Sequence, residues 1–214
     1  MEQRTVIVAG ATGLVGQAIL QGLLDDDSVP SVHALGRRAP PLTHPKLTVH
    51  VVDFQQLPAL PKADEVYLAL GTTIKVAGSQ AAFRAVDYDA NLAVAKAALA
   101  AGASRAGLVS AMGADAASSV FYSRVKGELE QALSQLPFQG LVIARPSLLV
   151  GDRSTLGQPS RRGEELGFAV SKALGFLIPR NYKPIRGADV ARALLSAVPA
   201  ARGKTVLLSG TMLR

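Results

Sequence analysis

The sequence contains no cysteine and no long uninterrupted hydrophobic run. The absence of cysteine excludes disulfides, thiolate metal sites, iron–sulfur clusters and a cysteine nucleophile, and it agrees with a reducing compartment. The most apolar stretch, residues 85–101, is interrupted by two aspartates, an asparagine and a lysine, so we predict no transmembrane helix. The apolar start, residues 6–9, is too short for the core of a secretory signal peptide. We therefore expect a cytoplasmic protein.

Tryptophan is also absent, which limits what the positive charge of the chain can bind. Residues 1–144 carry a net charge of −1 and residues 145–214 carry +8. A basic segment of this kind attracts an anionic substrate, a phosphate, nucleic acid or a membrane surface, or it forms an ordinary solvated surface. Only Tyr182, Phe168 and Phe176 lie among these charges, so a stacking platform for bases is poorly supplied. We expect no specific nucleic-acid partner.

Two further classes of site have no support in the sequence. His33, His44 and His50 show no spacing typical of metal ligands, so we expect no bound metal. A Gly-x-Ser-x-Gly segment is missing, so an α/β-hydrolase would lack its nucleophile.

The composition itself is that of a folded domain. Hydrophobic residues make up 49% of the chain and charged residues 18%, which excludes a disordered protein. A chain of 214 residues agrees with one domain, and domains near this size bury about 70% of the surface that the unfolded chain exposes. We therefore predict one domain over residues 1–214.

Short apolar runs alternate with segments of helical periodicity, which is typical of a parallel sheet covered by helices. The predicted strands are residues 5–9, 31–36, 47–52, 65–70, 105–109, 141–144 and 205–208, and the predicted helices are 14–23, 79–101, 122–135, 163–175 and 188–198. This pattern predicts an α/β fold, a doubly wound parallel sheet of the Rossmann type with strand order 3-2-1-4-5-6. Residues 147–187, rich in glycine, proline and arginine, are expected to form a small substrate-side segment of the same domain.

A glycine-rich loop lies between the first predicted strand and the first predicted helix. Its sequence is Gly10-Ala-Thr-Gly13-Leu-Val-Gly16. Glycines allow a tight turn and a close approach of the backbone to a pyrophosphate, while the helix N-terminus offers amide groups and partial positive charge. The loop therefore predicts a dinucleotide site.

The end of the second strand bears on the choice of dinucleotide. The acidic residue that holds the ribose 2′-hydroxyl in NAD-binding proteins is missing, and Arg37 and Arg38 stand there instead. Two guanidinium groups suit a 2′-phosphate, so we expect NADP(H) rather than NAD(H), unless both arginines are simply solvated. Asp53, after the third strand, is a candidate acceptor for the adenine amino group or an ordinary loop aspartate.

Tyr122 and Lys126 lie four residues apart, on one face of a predicted helix. An ammonium group near a phenol favours the phenolate, so the pair suits proton transfer to or from a carbonyl oxygen during hydride transfer. Lys126 could also hold the nicotinamide ribose hydroxyls. Ser110, at the end of the fifth strand, is a candidate to orient a substrate carbonyl, or it caps a turn.

With these residues, the chain resembles the short-chain dehydrogenase/reductase superfamily, and within it the atypical NADP-binding group that includes the Tat-interacting-protein oxidoreductases. The resemblance rests on the glycine loop, Ser110, the segment Tyr122-Ser-Arg-Val-Lys126, and two segments that begin at Leu70 and Arg145.

The resemblance implies roles for individual residues. The catalytic set would be Ser110, Tyr122 and Lys126. The cofactor would be contacted by Gly10, Thr12, Gly13, Leu14, Val15 and Gly16 at the pyrophosphate, by Arg37 and Arg38 at the 2′-phosphate, by Leu70, Gly71 and Thr72 on the adenosine and ribose side, by Tyr122 and Lys126 at the nicotinamide ribose, and by Arg145, Pro146 and Ser147 near the nicotinamide. Extended members usually carry asparagine early in the fourth helix, where this chain has Asp87, with Asn91 one turn later; the role of both residues stays open.

Two functions follow as expectations. The first is an NADP-dependent oxidoreductase that acts on a carbonyl or hydroxyl group of a small molecule, for which an anionic substrate is one option. The second is an NADP(H)-binding regulatory or interaction protein with little turnover and a protein partner. The oligomeric state stays open, because the two helices 79–101 and 122–135 suit either a dimer interface or packing inside a monomer.

Overall fold

The computed structural model describes residues 3–150 and 179–213. Within these ranges the chain forms a seven-stranded parallel sheet. Its strands are β1 (Thr5–Ala9), β2 (Ser31–Gly36), β3 (Leu47–Val51), β4 (Glu65–Leu68), β5 (Arg105–Val109), β6 (Gly140–Arg145) and β9 (Gly203–Leu208). Their order across the sheet is β3-β2-β1-β4-β5-β6-β9. Two short strands, β7 (Leu149–Val150) and β8 (Ile185–Arg186), pair with each other outside this sheet.

Helices cover both faces of the sheet. They are α1 (Leu14–Leu24), α2 (Ile74–Ala77), α3 (Gln80–Arg84), α4 (Asn91–Ala100), α5 (Phe121–Ser134), α6 (Gly187–Ala197) and α7 (Ser209–Met212). A π-helical segment, Ala85–Ala90, joins α3 to α4 without a break, and short 3₁₀ turns occupy Arg180–Tyr182 and Val198–Ala200. None of the helices in the described ranges is both long enough and apolar enough to span a bilayer.

The alternation of side chains along β1 divides the core into two layers. Val6 and Val8 pack with the apolar faces of α1 and α6 on one side of the sheet. Ile7 and Ala9 pack with α4 and α5 on the other side. All four side chains are fully buried, as expected for a central parallel strand. The predicted doubly wound Rossmann-type fold is confirmed, with β9 added beside β6.

The long helix predicted over residues 79–101 contains an irregularity that periodicity does not show. Ser79 caps its start by accepting a hydrogen bond from the Ala82 amide at 3.1 Å. The next turn is α-helical, but Ala85–Ala90 adopts the wider π-helical form before the α-helix resumes. Such π-helical turns occur often at functional sites. The predicted helix at residues 163–175 and most of the predicted substrate-side segment lie outside the described residues.

Candidate functional site

Close backbone contacts require glycine at positions 10 and 16. Gly10, after β1, lies against the chain that follows β4, and Gly16, in α1, lies against Gly10. Gly10 has a φ of +92°, and a Cβ atom there would lie 2.5 Å from the Ala69 carbonyl carbon. A Cβ atom on Gly16 would lie 2.0 Å from the Gly10 carbonyl oxygen. Neither position has room for a side chain, so these two glycines set the tight turn from the strand into the helix.

Gly13 differs from these two glycines. It is the residue before α1, with φ −89° and ψ 166°, and a Cβ atom on it would lie no closer than 3.4 Å to the protein, at the Gly10 carbonyl oxygen. The packing of the protein around Gly13 therefore does not require glycine. A pyrophosphate that approaches the backbone closely at this point would require it. The first turn of α1 has no side-chain cap, so its amides stay available to an anion. The loop fits a dinucleotide pyrophosphate.

Arg37 and Arg38 follow β2, and both are exposed. Within the described part of the chain, neither guanidinium group forms an ion pair. Asp53 is also exposed, and its Oδ1 accepts a hydrogen bond from the Gln55 amide at 2.9 Å, so one carboxylate oxygen caps a turn after β3.

Tyr122 lies in the first turn of α5, and Lys126 lies one turn later on the same face. The Tyr122 side chain is 37% exposed, and its ring packs against buried Phe83 with the ring centroids 5.5 Å apart. Lys126 is 5% exposed. The phenol is thus open to a ligand, while the ammonium group lies inside the protein.

The charge of Lys126 has a buried partner. Asp87 Oδ1 lies 2.7 Å from Lys126 Nζ, and Asp87 Oδ2 accepts a hydrogen bond from the Thr72 amide at 2.8 Å. The sequence left the role of Asp87 open, and the structure gives it two contacts with predicted site residues. Lys126 and Asp87 thus form a buried ion pair.

Asn91 holds the same loop from the next turn. Its side-chain amide donates to the carbonyl oxygens of Leu70 at 3.1 Å and Asp87 at 3.1 Å. Asn91 Oδ1 is buried and accepts no hydrogen bond from the described residues. Asp87 of the π-helical turn and Asn91 at the start of α4 therefore both hold the segment Leu70–Thr72, which the sequence predicts to line the cofactor.

Ser110 and Arg145 are joined through a carboxylate that the sequence analysis missed. The Ser110 hydroxyl donates to Glu130 Oε1 at 2.5 Å, and Arg145 Nη2 donates to Glu130 Oε2 at 2.6 Å. Ser110 and Glu130 are both buried. The hydrogen bonds that Arg145 donates to Glu130 raise the pKa of Arg145, against the effect of burial. The helical spacing Tyr122, Lys126, Glu130 places Glu130 on the same face, and this signal could have found it.

Pro146 and Ser147 follow β6 and form hydrogen bonds with three other segments of the chain. The Pro146 carbonyl accepts a hydrogen bond from the Met112 amide at 2.8 Å. The Ser147 hydroxyl donates to the Lys183 carbonyl at 2.5 Å, and the Ser147 amide donates to Ser209 Oγ at 2.8 Å. These contacts of Ser147 are therefore with the part of the chain that follows residue 178.

The glycine loop, the Leu70–Thr72 segment, Ser110 and Arg145 all lie at the carboxyl ends of parallel strands. Residues 10–173 match the family described as NAD(P)H-binding. The chain belongs to this family. It is 36% identical over 202 residues to the protein FMP52-1, mitochondrial, of Scheffersomyces stipitis, covering 90% of this chain and 87% of the relative. It is 37% identical over 175 residues to the protein HTATIP2 of Rattus norvegicus, covering 78% of this chain and 69% of the relative.

Solved structures agree on the fold. A short-chain dehydrogenase/reductase family oxidoreductase from Burkholderia thailandensis superposes with a TM-score of 0.69 at 19% identity, over 100% of this chain and 94% of that one. MoeE5 in complex with UDP-glucose and NAD superposes with a TM-score of 0.69 at 17% identity, over 95% of this chain and 75% of that one. The predicted resemblance to the Tat-interacting-protein group is confirmed by HTATIP2, and a short-chain dehydrogenase/reductase family protein shares the fold.

The comparison corrects one expectation. Absent targeting features led us to expect a cytoplasmic protein, but relatives from Scheffersomyces stipitis, Candida albicans and Coccidioides immitis are named as mitochondrial proteins. The cytoplasmic prediction is wrong on this finding. Its reasoning failed because it treated missing secretory and membrane signals as evidence for one particular compartment.

Proposed function

We propose that this protein is an NADP(H)-dependent oxidoreductase that transfers a hydride between the cofactor and a carbonyl or hydroxyl group of a small molecule. The supporting observation is the pairing of an open phenol, Tyr122, with a buried ammonium group, Lys126, on one face of α5. Both follow β5, at the same edge of the sheet as the glycine loop after β1. This edge is where open α/β sheets bind ligands.

The residues of this edge fit a dinucleotide. Gly13 leaves room for a pyrophosphate, and the first turn of α1 offers amides without side-chain caps. The pyrophosphate would be held by Gly10, Thr12, Gly13, Leu14, Val15 and Gly16, and the rest of the cofactor by Leu70, Gly71, Thr72, Lys126, Arg145, Pro146 and Ser147. When bound, the nicotinamide ring supplies or accepts the hydride.

Tyr122 would act as general acid or base at the substrate oxygen. In reduction the phenol gives its proton to the oxygen of the carbonyl group, and in oxidation the phenolate takes the proton from the hydroxyl group. Lys126, one turn later on the same face of α5, would hold the nicotinamide ribose hydroxyls beside the phenol. The cationic charge of residues 145–214 suits an anionic substrate.

Arg37 and Arg38 favour NADP(H) over NAD(H). Both are exposed at the end of β2, the strand beside β1 and its glycine loop. Planar guanidinium groups bind phosphate with two hydrogen bonds each, and no carboxylate stands there to accept a ribose 2′-hydroxyl. Asp53 remains a candidate acceptor for the adenine amino group through its second carboxylate oxygen.

Replacement of the phenol tests this function. The purified protein is screened with NADPH against carbonyl compounds and with NADP⁺ against alcohols, and the best substrate is then given to Tyr122→Phe. General acid–base catalysis contributes about 10²–10⁴-fold, so the variant should lose activity by that factor. It should keep its affinity for NADPH within about threefold, since the phenol is not the main cofactor contact. Full turnover by Tyr122→Phe would contradict the proposal.

One observation favours a second candidate, an NADP(H)-binding regulatory protein with little turnover. The Ser110 hydroxyl donates its hydrogen to Glu130, and Glu130 accepts from Arg145 at both oxygens. An ionised carboxylate only accepts, so Ser110 has no hydrogen left for a substrate carbonyl. This candidate predicts cofactor-dependent binding of a protein partner that Tyr122→Phe leaves unchanged.

A further inference from the structure

Large hydrophobic side chains are exposed on the same side of the sheet edge as the Tyr122 phenol. Within residues 3–150 and 179–213, nine such side chains are exposed. Three lie on the two edge strands and in the segment after β2, scattered as is usual for a protein surface. The other six, which we call the apolar rim, follow the strands β4, β5 and β6; they are Ile74, Val76, Val120, Tyr122, Leu148 and Tyr182.

The members of the apolar rim belong to three neighbouring strand ends. The strands β4, β5 and β6 are adjacent in the sheet, on the side of β1 away from β2 and its two arginines. Leu148 and Tyr182 are far apart in sequence, but Ser147 donates a hydrogen bond to the Lys183 carbonyl at 2.5 Å and holds the two segments together. The six side chains therefore lie on the half of the site that carries the phenol.

The short helix α2 presents its apolar side chains to solvent from a fixed position. None of its residues is buried, and Val76 is 68% exposed. Its start is nevertheless held, because Asp87 accepts the Thr72 amide at 2.8 Å and the Thr73 hydroxyl accepts the Val76 amide at 3.1 Å. These side chains add little to the core of the protein. An apolar ligand that covered them would remove apolar surface from water, which is favourable.

Two predicted cations of the site are already paired with carboxylates. Lys126 Nζ lies 2.7 Å from Asp87 Oδ1, and Arg145 Nη2 lies 2.6 Å from Glu130 Oε2. Both carboxylates are buried. A charged substrate group beside the reacting carbonyl would lose its water and meet cations that are already paired. The surface beside the phenol therefore favours an uncharged, apolar part of a substrate.

We propose that the substrate carries an apolar group, aliphatic or aromatic, next to the carbonyl or hydroxyl group that reacts, and that the apolar rim binds this group. This proposal rests on the proposed function, because it takes the molecule bound beside Tyr122 to be the substrate. A charged group farther along the substrate is compatible with this contact, since the positive charge of residues 145–214 acts over longer distances.

Two homologous series of ligands measure this contact. Linear amides, from propanamide to octanamide, resemble a carbonyl substrate but are not reduced by NADPH. Their binding to the complex of protein and NADPH is followed by the change in nicotinamide fluorescence. Linear aldehydes, from propanal to octanal, are then tested for turnover with NADPH.

Serine substitutions test the apolar rim itself. Val76→Ser and Leu148→Ser each replace one of its apolar side chains by a small polar one. Val51→Ser is the matched control, because Val51 is 65% exposed, against 68% for Val76, but ends β3 on the other side of β1. Thermal unfolding and NADPH affinity are recorded for each variant, so that a damaged fold or cofactor site is recognised.

We expect amide affinity to rise about two- to fourfold for each added methylene group that the apolar rim covers. Val76→Ser and Leu148→Ser should each weaken octanamide by about threefold or more and propanamide by less, whereas Val51→Ser should bind the whole series normally. With octanal, the loss in Val76→Ser and Leu148→Ser should fall on KM rather than on kcat, because the chain is bound away from the reacting atoms.

Two results would overturn the proposal: equal affinities for propanamide and octanamide, or the same loss in Val51→Ser as in Val76→Ser and Leu148→Ser. If octanamide bound tightly but no aldehyde was reduced, the proposed function would fail, and with it the claim that the apolar ligand is the substrate. That failure is distinguishable from equal amide affinities with normal turnover of aldehydes, which would remove the apolar contact and leave the oxidoreductase.

Discussion

Glu130 receives the Arg145 guanidinium along one edge, with Arg145 Nε 3.0 Å from Glu130 Oε1 and Nη2 2.6 Å from Oε2. The same carboxylate accepts the Ser110 hydroxyl. Ser110 follows β5, Arg145 ends β6, and Glu130 lies on α5. One buried carboxylate therefore fastens the helix that carries Tyr122 and Lys126 to the ends of two strands.

Replacing Glu130 with alanine should destabilise the protein by about 3 kcal/mol, because it leaves Arg145 half-buried without a partner and Ser110 without an acceptor. The free energy of unfolding in urea measures this. Glu128→Ala is the control on the same helix: Glu128 pairs with Arg84 at the surface, and such pairs contribute about 0–1 kcal/mol. Equal losses in the two variants would contradict the role given to Glu130.

The glycine loop offers a second pair of variants. Gly16→Ala brings a Cβ atom to 2.0 Å from a backbone oxygen, so it should prevent stable folding or lower the free energy of unfolding by about 3 kcal/mol or more.

Gly13→Ala brings a Cβ atom no closer than 3.4 Å to the protein, so it should change the free energy of unfolding by less than about 1 kcal/mol. It should nevertheless weaken NADPH by about tenfold or more, since the new methyl group occupies the space of the pyrophosphate. Urea unfolding and fluorescence titration separate the two effects; normal NADPH affinity in Gly13→Ala would argue against a pyrophosphate at this loop.

The environment of His33, near one edge of the sheet, predicts that stability depends on pH. His33 Nδ1 lies 3.1 Å from His50 Nε2, and burial together with the neighbouring His50 lowers the pKa of His33 below its usual 6.5. The unfolded chain then binds more protons than the folded one below pH 6.5, so the free energy of unfolding falls as the pH drops through this range.

His33→Gln should flatten the fall in stability between pH 7 and pH 5, because it removes the group that the fold keeps neutral. His44→Gln should keep the fall, since His44 lies outside this pair and accepts a hydrogen bond from the Lys46 amide instead. Urea unfolding at pH 7, 6 and 5 measures both variants. An unchanged slope in His33→Gln would show that the histidine pair does not control the dependence.

Arg37 and Arg38 should decide between the two dinucleotides. The double variant Arg37→Ala/Arg38→Ala should weaken NADPH by about 10–100-fold and NADH by less than about threefold, because only NADPH carries the 2′-phosphate. Arg202→Ala serves as the control. It removes an exposed arginine at the amino end of β9, whereas Arg37 and Arg38 follow the carboxyl end of β2. If both dinucleotides weakened alike in the double variant, its arginines would act on a shared group such as the pyrophosphate.

The sequence predicts the sheet well because strand residues such as Val6 and Ile7 are buried on both faces and read as continuous apolar runs. It also predicts the glycine loop, since Gly10 and Gly16 meet a steric demand that only glycine satisfies. In both cases the local sequence carries the physical cause.

The buried carboxylates are different. Asp87 turns inward because of a π-helical turn, which the apolar periodicity does not distinguish from an α-helix. Glu130 is buried because Ser110 and Arg145, 20 and 15 residues away in sequence, converge on it. In the sequence these are three separate polar residues. Only the fold shows that Glu130 accepts hydrogen bonds from both Ser110 and Arg145. The short β7 and β8 pair escapes prediction because two residues carry no periodicity.

The most direct test of the account is a titration of the purified, unaltered protein with NADPH and NADH, followed by nicotinamide fluorescence. The account predicts that both bind and that NADPH binds more than about tenfold tighter, a difference of about 1.4 kcal/mol. Equal affinities would remove the argument from Arg37 and Arg38 while leaving a dinucleotide site. Failure of both dinucleotides to bind would contradict the central claim that this protein is an NADP(H)-dependent oxidoreductase.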